Sequence, residues 1–177
     1  MEFKGTSFLY TLATLMVTFA GFSALLLIIR QAAGAQLSAL DRFLARTTIG
    51  HLMALTAGAL LPSLLQLYDI PESSIWMISA AAFGLPVLAL LLTFPHRRVT
   101  ATGASPPPIV MITFVGLSSI SIIAMLAYVE GNFAHKAAAY ITALTINFFS
   151  LALAFIIALE VVLHQPISFS QKPGGET

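Results

Sequence analysis

Four residues of this 177-residue chain combine a reactive type with a suggestive spacing: Arg46, His51, Glu160 and His164. His51 and Glu160 stand inside long apolar runs, where an ionisable side chain is expensive and by default marks an ion path, a proton relay or a binding site. His164 follows Glu160 by four residues, which puts both on one face of a helix. Imidazole titrates near neutral pH and can pass protons; imidazole and carboxylate together can hold a metal ion. A structural reading of the same residues ranks above the chemical one. Glu160 lies about one turn from the end of its run, where its stem can snorkel to the headgroups and its carboxylate can pair with Arg46.

Asn147 falls in the middle of the last apolar run. An amide there seeks a partner on a neighbouring helix, a bond worth about 0.6 kcal/mol, so packing is its expected role. Ser118, Ser119, Ser121, Thr142 and Thr145 can bond carbonyls of their own helices and need no ligand. The chain has no cysteine, which removes thiolate metal sites and thiol nucleophiles. It has no Gly-x-x-x-x-Gly-Lys-Ser/Thr phosphate loop, no His-Glu-x-x-His helix and no Gly-x-Ser-x-Gly elbow. No catalytic residue and no cofactor are assigned. A formal net charge of +1 supplies no basic field for nucleic acid.

The elements that must position these groups are membrane helices. Charged residues make up 8% of the chain and hydrophobic ones 58%, against roughly 25% charged in a soluble domain. Five apolar runs of at least 19 residues cover about 8–29, 49–67, 75–94, 109–129 and 137–163. A helix needs about 20 residues to cross a ~30 Å hydrocarbon core, and only helix satisfies the backbone of such runs in lipid. The expected fold is all-α: one polytopic bundle of five spans within residues 1–164, followed by a disordered polar tail, 165–177.

The breaks have local causes. Asp69-Ile70-Pro71-Glu72-Ser73-Ser74 reads as a tight turn that makes a hairpin of the second and third spans. Pro95-His96-Arg97-Arg98 closes the third span, and the Pro-rich stretch 100–108 is a flexible loop. Ser38 and Asp41 have the spacing of a capping box with Asp in place of Glu, so 31–46 holds a short surface helix or an extension of the second span. Ala33-Gly34-Ala35 resembles a signal-peptide cleavage site, but Glu2 and Lys4 cancel and the apolar stretch exceeds the usual ~7–15 residues. The first run is therefore read as a span.

Lys and Arg near span ends prefer the cytoplasm. With the N-terminus outside and the C-terminus cytoplasmic, Arg30, Arg42, Arg46, Arg97, Arg98 and Lys172 fall inside and only Lys4 and Lys136 outside. The same alternation gathers Tyr10, Tyr68, Trp76, Tyr128 and Tyr140 near the outer ends, where interfacial aromatics belong. Helices in lipid associate through small residues. Gly50, Ala54 and Gly58 form one row at a spacing of four, and Ser150, Ala154 and Ala158 form another; both are expected to face other helices. Pro62 and Pro86 lie inside spans and crowd the carbonyls four residues back, at Gly58 and Ala82.

The stretch Leu9-Tyr10-Thr11-Leu12-Ala13-Thr14, continued by Val17-Thr18-Phe19-Ala20-Gly21-Phe22-Ser23-Ala24-Leu25-Leu26 and Arg30-Gln31, resembles the first span of small multi-pass bacterial membrane proteins of no assigned function. Ala57-Gly58-Ala59-Leu60-Leu61-Pro62 fits the same resemblance. It implies a bacterial inner membrane and brings no catalytic residues. Three functions are in competition, in this order: a non-catalytic component embedded in the lipid bilayer that packs against itself or a partner protein; a small oligomeric channel or transporter; and a metal-binding protein or enzyme using His51, Glu160 and His164.

Overall fold

The computed structural model describes residues 5–32, 34, 37–131 and 135–163, with side chains through residue 157. Five helices are long and apolar enough to cross a membrane. They are α1, Thr6–Ala32; α2, Ala39–Leu65, prolonged by a 3-10 turn at Gln66–Tyr68; α3, Glu72–Thr102; α4, Pro108–Glu130; and α5, Lys136–Leu163. Outward-facing positions carry large aliphatic side chains such as Leu92, Ile112, Ile120 and Ile156. Such a surface suits lipid, which gives a helix no reason to segregate Leu from Leu.

Helices α2, α3, α4 and α5 each pack on the next, and α5 returns to α2 and α3. Leu52, Leu55, Ala59, Leu91, Ile122, Tyr140 and Leu144 are wholly buried at the centre. α1 lies against α2 and sets the Phe19 ring edge-on to Phe148 and Phe155 of α5, at centroid separations of 6.0 and 5.3 Å.

Two helices run further than their apolar stretches. α2 begins at Ala39 because Ser38 and Asp41 close the capping box in both directions: the Asp41 N–H donates to Ser38 Oγ (3.1 Å) and the Ser38 N–H donates to Asp41 Oδ2 (2.9 Å). Residues 39–48 therefore extend the second span. α3 does not close at Pro95. It continues to Thr102 and ends at Gly103, whose φ of 70° is one that glycine adopts without strain. A proline inside a helix forfeits one N–H and crowds one carbonyl, which an otherwise intact helix tolerates. Arg97 and Arg98 thus stand on the helix rather than beyond it.

Trp76 and Tyr140, expected near the outer ends of their spans, stand near the starts of α3 and α5 but face other helices. Both are buried, with ring centroids 5.7 Å apart. Tyr140 is drawn inward by Pro62. The missing N–H of Pro62 leaves the Gly58 carbonyl without its helical donor, and the Tyr140 hydroxyl donates to that oxygen at 2.7 Å. Tyr10 and Tyr68 remain exposed.

The small-residue rows divide. A Cβ on Gly58 would sit 2.7 Å from Phe83 Cδ2 of α3, so the side chain's absence permits that contact; a Cβ on Gly50 would meet nothing within 4 Å. Gly50 is exposed, and Ala54 is half-buried beside the core. Ser150 and Ala154 are buried; the side chain of Ala158 lies outside the described residues. Gly84 of α3, where a Cβ would meet Met125, Leu126 and Ile122 of α4 at 3.0–3.3 Å, is a second close approach.

α4 is not α-helical throughout. Met111–Leu117 is π-helical and is followed by regular α-helix over Ser118–Glu130. Nothing in the residue pattern announces it.

Candidate functional site

The C-terminal turns of α1 and α3 and the N-terminal turns of α2 and α4 meet at one end of the bundle, which carries Arg30, Arg42, Arg46, Arg97 and Arg98. Arg30 Nη1 donates to Asp41 Oδ1 at 3.2 Å. Each charge suits its helix terminus, a cation at the end of α1 and an anion at the start of α2. Asp41 is only 7% exposed, and its other oxygen accepts from the Ser38 N–H and hydroxyl at 2.9 Å each. One carboxylate therefore caps α2 and ties α1 to it. Arg46, expected to pair with Glu160, is exposed at the same end.

Behind this ion pair lies a cavity of about 120 Å³. Its walls are mainly apolar, with Leu26 and Leu27 from α1, Leu44 from α2, Val110 and Phe114 from α4, and Leu151 and Phe155 from α5. Arg30 and Asp41 stand on it as a neutral pair, and Arg98 lines it from α3. Arg98 is 9% exposed, its Nε is buried without a partner, and no ion pair joins it to a carboxylate among the described residues. Thr47 Oγ1, on the same wall, is likewise buried without a partner among the described residues.

A second cavity of about 60 Å³ lies between α2 and α3, lined by Arg46, Gly50 and His51 on one side and by Leu90, Leu91 and Arg97 on the other. His51 is 3% exposed and its Nε2 is buried without a partner among the described residues. The two cavities share Thr47, Phe94 and Phe114. The Phe114 ring stands edge-on to both Phe94 (5.3 Å) and His51 (5.2 Å), and Phe94 leans on Phe43 (5.6 Å). This aromatic group, with Phe114 supplied by the π-helical turn, holds the shared wall.

A separate polar group occupies the middle of the bundle. Asn147 Nδ2 donates to Ser121 Oγ of α4 at 2.9 Å and to the Ala143 carbonyl of its own helix at 2.8 Å. The Ser121 hydroxyl donates to the Ser118 carbonyl at 2.9 Å. Ser118 and Ser119 find no partner among the described residues, against the expectation that they bond their own helix. The carbonyls four residues before them, at Phe114 and Val115, belong to the π-helical turn, where the backbone ladder runs from i to i+5 and draws the oxygens away. Neither cavity is lined by Asn147.

Of the four residues first singled out, Arg46 and His51 meet at the smaller cavity. Glu160 lies in α5 with its side chain outside the described residues, and His164 lies outside them altogether. No group of three or more His, Asp or Glu side chains suited to a metal ion occurs among the described residues. Sequence reasoning missed Arg97, Arg98 and Thr47. The signal was present: 90, 91, 94, 97 and 98 recur at helical spacing, and a helix that passes through Pro95 places them on one face. No protein-family model, curated protein or solved structure matches this chain.

Proposed function

We propose that this chain is a non-catalytic component of a bacterial inner membrane that holds an amphiphile with an acidic head group in the larger cavity. The orientation we infer has the N-terminus outside and the C-terminus in the cytoplasm, so that the arginine-bearing end faces inward as the distribution of basic residues favours. The observation that carries the binding role is Arg98, which is 9% exposed on an apolar-walled cavity, with its Nε buried and no anionic partner among the described residues. Removing an ion from water costs several kcal/mol unless a counter-charge and hydrogen bonds offset it. The neighbouring Arg30–Asp41 pair is already neutral, so the complement of this cavity is one negative charge attached to apolar chain.

The test is lipid retention. The detergent-purified protein is expected to hold an acidic lipid detectable by native mass spectrometry and by extraction, and Arg98→Gln is expected to lose most of it. Arg42→Gln, at an exposed position lining neither cavity, should retain it. Equal retention by wild type and Arg98→Gln would overturn the reading. Compartment reporters fused to each terminus test the orientation: both ends in one compartment would overturn it.

A further inference from the structure

We propose that the smaller cavity is a separate site for a single oxyanion group of phosphate or carboxylate size, held by Arg46 and Arg97 at its mouth and by the His51 Nε2–H at its base. The proposal does not depend on what occupies the larger cavity.

Three observations converge. First, the cationic groups have no counter-charge among the described residues. Arg46 of α2 and Arg97 of α3 line the same cavity, no acidic side chain lines it with them, and neither forms an ion pair among the described residues. Two guanidinium groups facing one space repel each other, and an anion between them converts repulsion into two attractions. The guanidinium fork matches the paired oxygens of carboxylate and phosphate. The same two charges disfavour a metal ion, so His51 is better read as a hydrogen-bond donor here than as a ligand.

Second, His51 is built into the wall and left unsatisfied. Its ring is fixed edge-on to Phe114, it is buried, and its Nε2 has no partner among the described residues. Buried polar atoms in native structures are nearly always paired, and an exception calls for an explanation. In its Nε2–H tautomer, a ring held in place with that nitrogen unpaired offers a donor to an acceptor in the cavity.

Third, the space fits. A volume of about 60 Å³ exceeds the roughly 10–15 Å³ that a single water needs on this measure. Gly50 contributes to that room, because it lines the cavity and carries no side chain. Thr47, one helical turn before His51 on the same face, adds an unpartnered hydroxyl at the wall shared with the larger cavity.

The experiment uses the full-length chain in neutral detergent at constant ionic strength, titrated separately with sodium phosphate, sodium acetate and a water-soluble short-chain phosphatidate. Binding is followed by calorimetry and by the imidazole 15N resonances of His51. Saturable binding is expected with a His51 shift, weakened about tenfold or more by Arg97→Gln and by His51→Phe, since each removes a charge-assisted or buried hydrogen bond. Arg42→Gln should bind as wild type does. His51→Gln, which keeps an N–H donor, should bind more tightly than His51→Phe and guards against a packing effect of the aromatic replacement. Binding of phosphate or acetate identifies a free anion as the source; binding of phosphatidate alone, still dependent on His51 and Arg97, identifies a lipid head group and sustains the site. Absence of saturable binding by all three probes overturns the proposal, as does binding indifferent to both Arg97→Gln and His51→Phe.

Discussion

The Tyr140 hydroxyl donates, at 2.7 Å, to the one carbonyl of α2 that Pro62 deprives of its helical donor, that of Gly58. The bond joins α5 to α2 at the buried centre of the bundle. It makes the Gly58 carbonyl, which the proline leaves without its helical donor, the acceptor half of an interhelical contact. Removing the donor should leave a buried carbonyl unsatisfied, at a cost of about 1–2 kcal/mol. Tyr140→Phe is expected to lower unfolding stability by that amount in a denaturant titration. In a Pro62→Ala background the backbone N–H restored at that position can take over the carbonyl, so Tyr140→Phe should cost markedly less there. An equal cost in both backgrounds would show that the hydroxyl is not compensating for the proline.

The two ends of the Gly50–Gly58 row should respond in opposite ways to the same substitution. Gly58→Ala forces a methyl to within 2.7 Å of the Phe83 ring and should destabilise by about 1–3 kcal/mol, as overpacking does. Gly50→Ala meets open space and should be neutral or stabilise by up to about 1 kcal/mol through helix propensity. Thermal unfolding of the two variants in one detergent provides the comparison. A large loss at Gly50 would mean that this face is covered in the protein as purified.

Asp41 serves two helices, and its removal should exceed the loss of a cap alone. Asp41→Ala takes away the acceptor for Ser38 and the partner of Arg30; about 1 kcal/mol is expected from the cap, with a further contribution from a half-buried arginine left unpaired. Arg30→Gln should cost less than Asp41→Ala. Because Asp41 is 7% exposed, raising salt should weaken the pair only slightly. Denaturant midpoints at low and high salt would expose the error if the Asp41→Ala penalty vanished at high salt.

Helix number, the Ser38–Asp41 cap and the prolines inside helices were all legible, because hydrophobic run length and capping spacing are local properties of a chain. The five helices follow the five apolar runs. What was not legible depends on which residues meet across helices. Tyr140 has the composition of an interfacial anchor and becomes a buried donor because another helix presents a carbonyl to it. Arg97 and Arg98 follow a proline, an ordinary stop signal, and enter the cavities because that proline does not stop the helix. The candidate cluster was half legible: run analysis found His51, and the charge pattern found Arg46. The partner facing them, Arg97, required the crossing of α2 and α3.

The π-helical turn at Met111–Leu117 means that α4 carries one residue more than a regular helix between the same two points would need. Deleting a single residue from an ordinary stretch, such as Ser118–Glu130, would swing everything beyond it by about 100° around the axis and turn Ser121 or Met125 out of the interior. A deletion within the wide turn would instead let the ladder relax to its usual spacing and leave both flanks facing as they do now. The stretch is a slack link, and it makes α4 the helix whose length can change by one without changing which sides of it look inward.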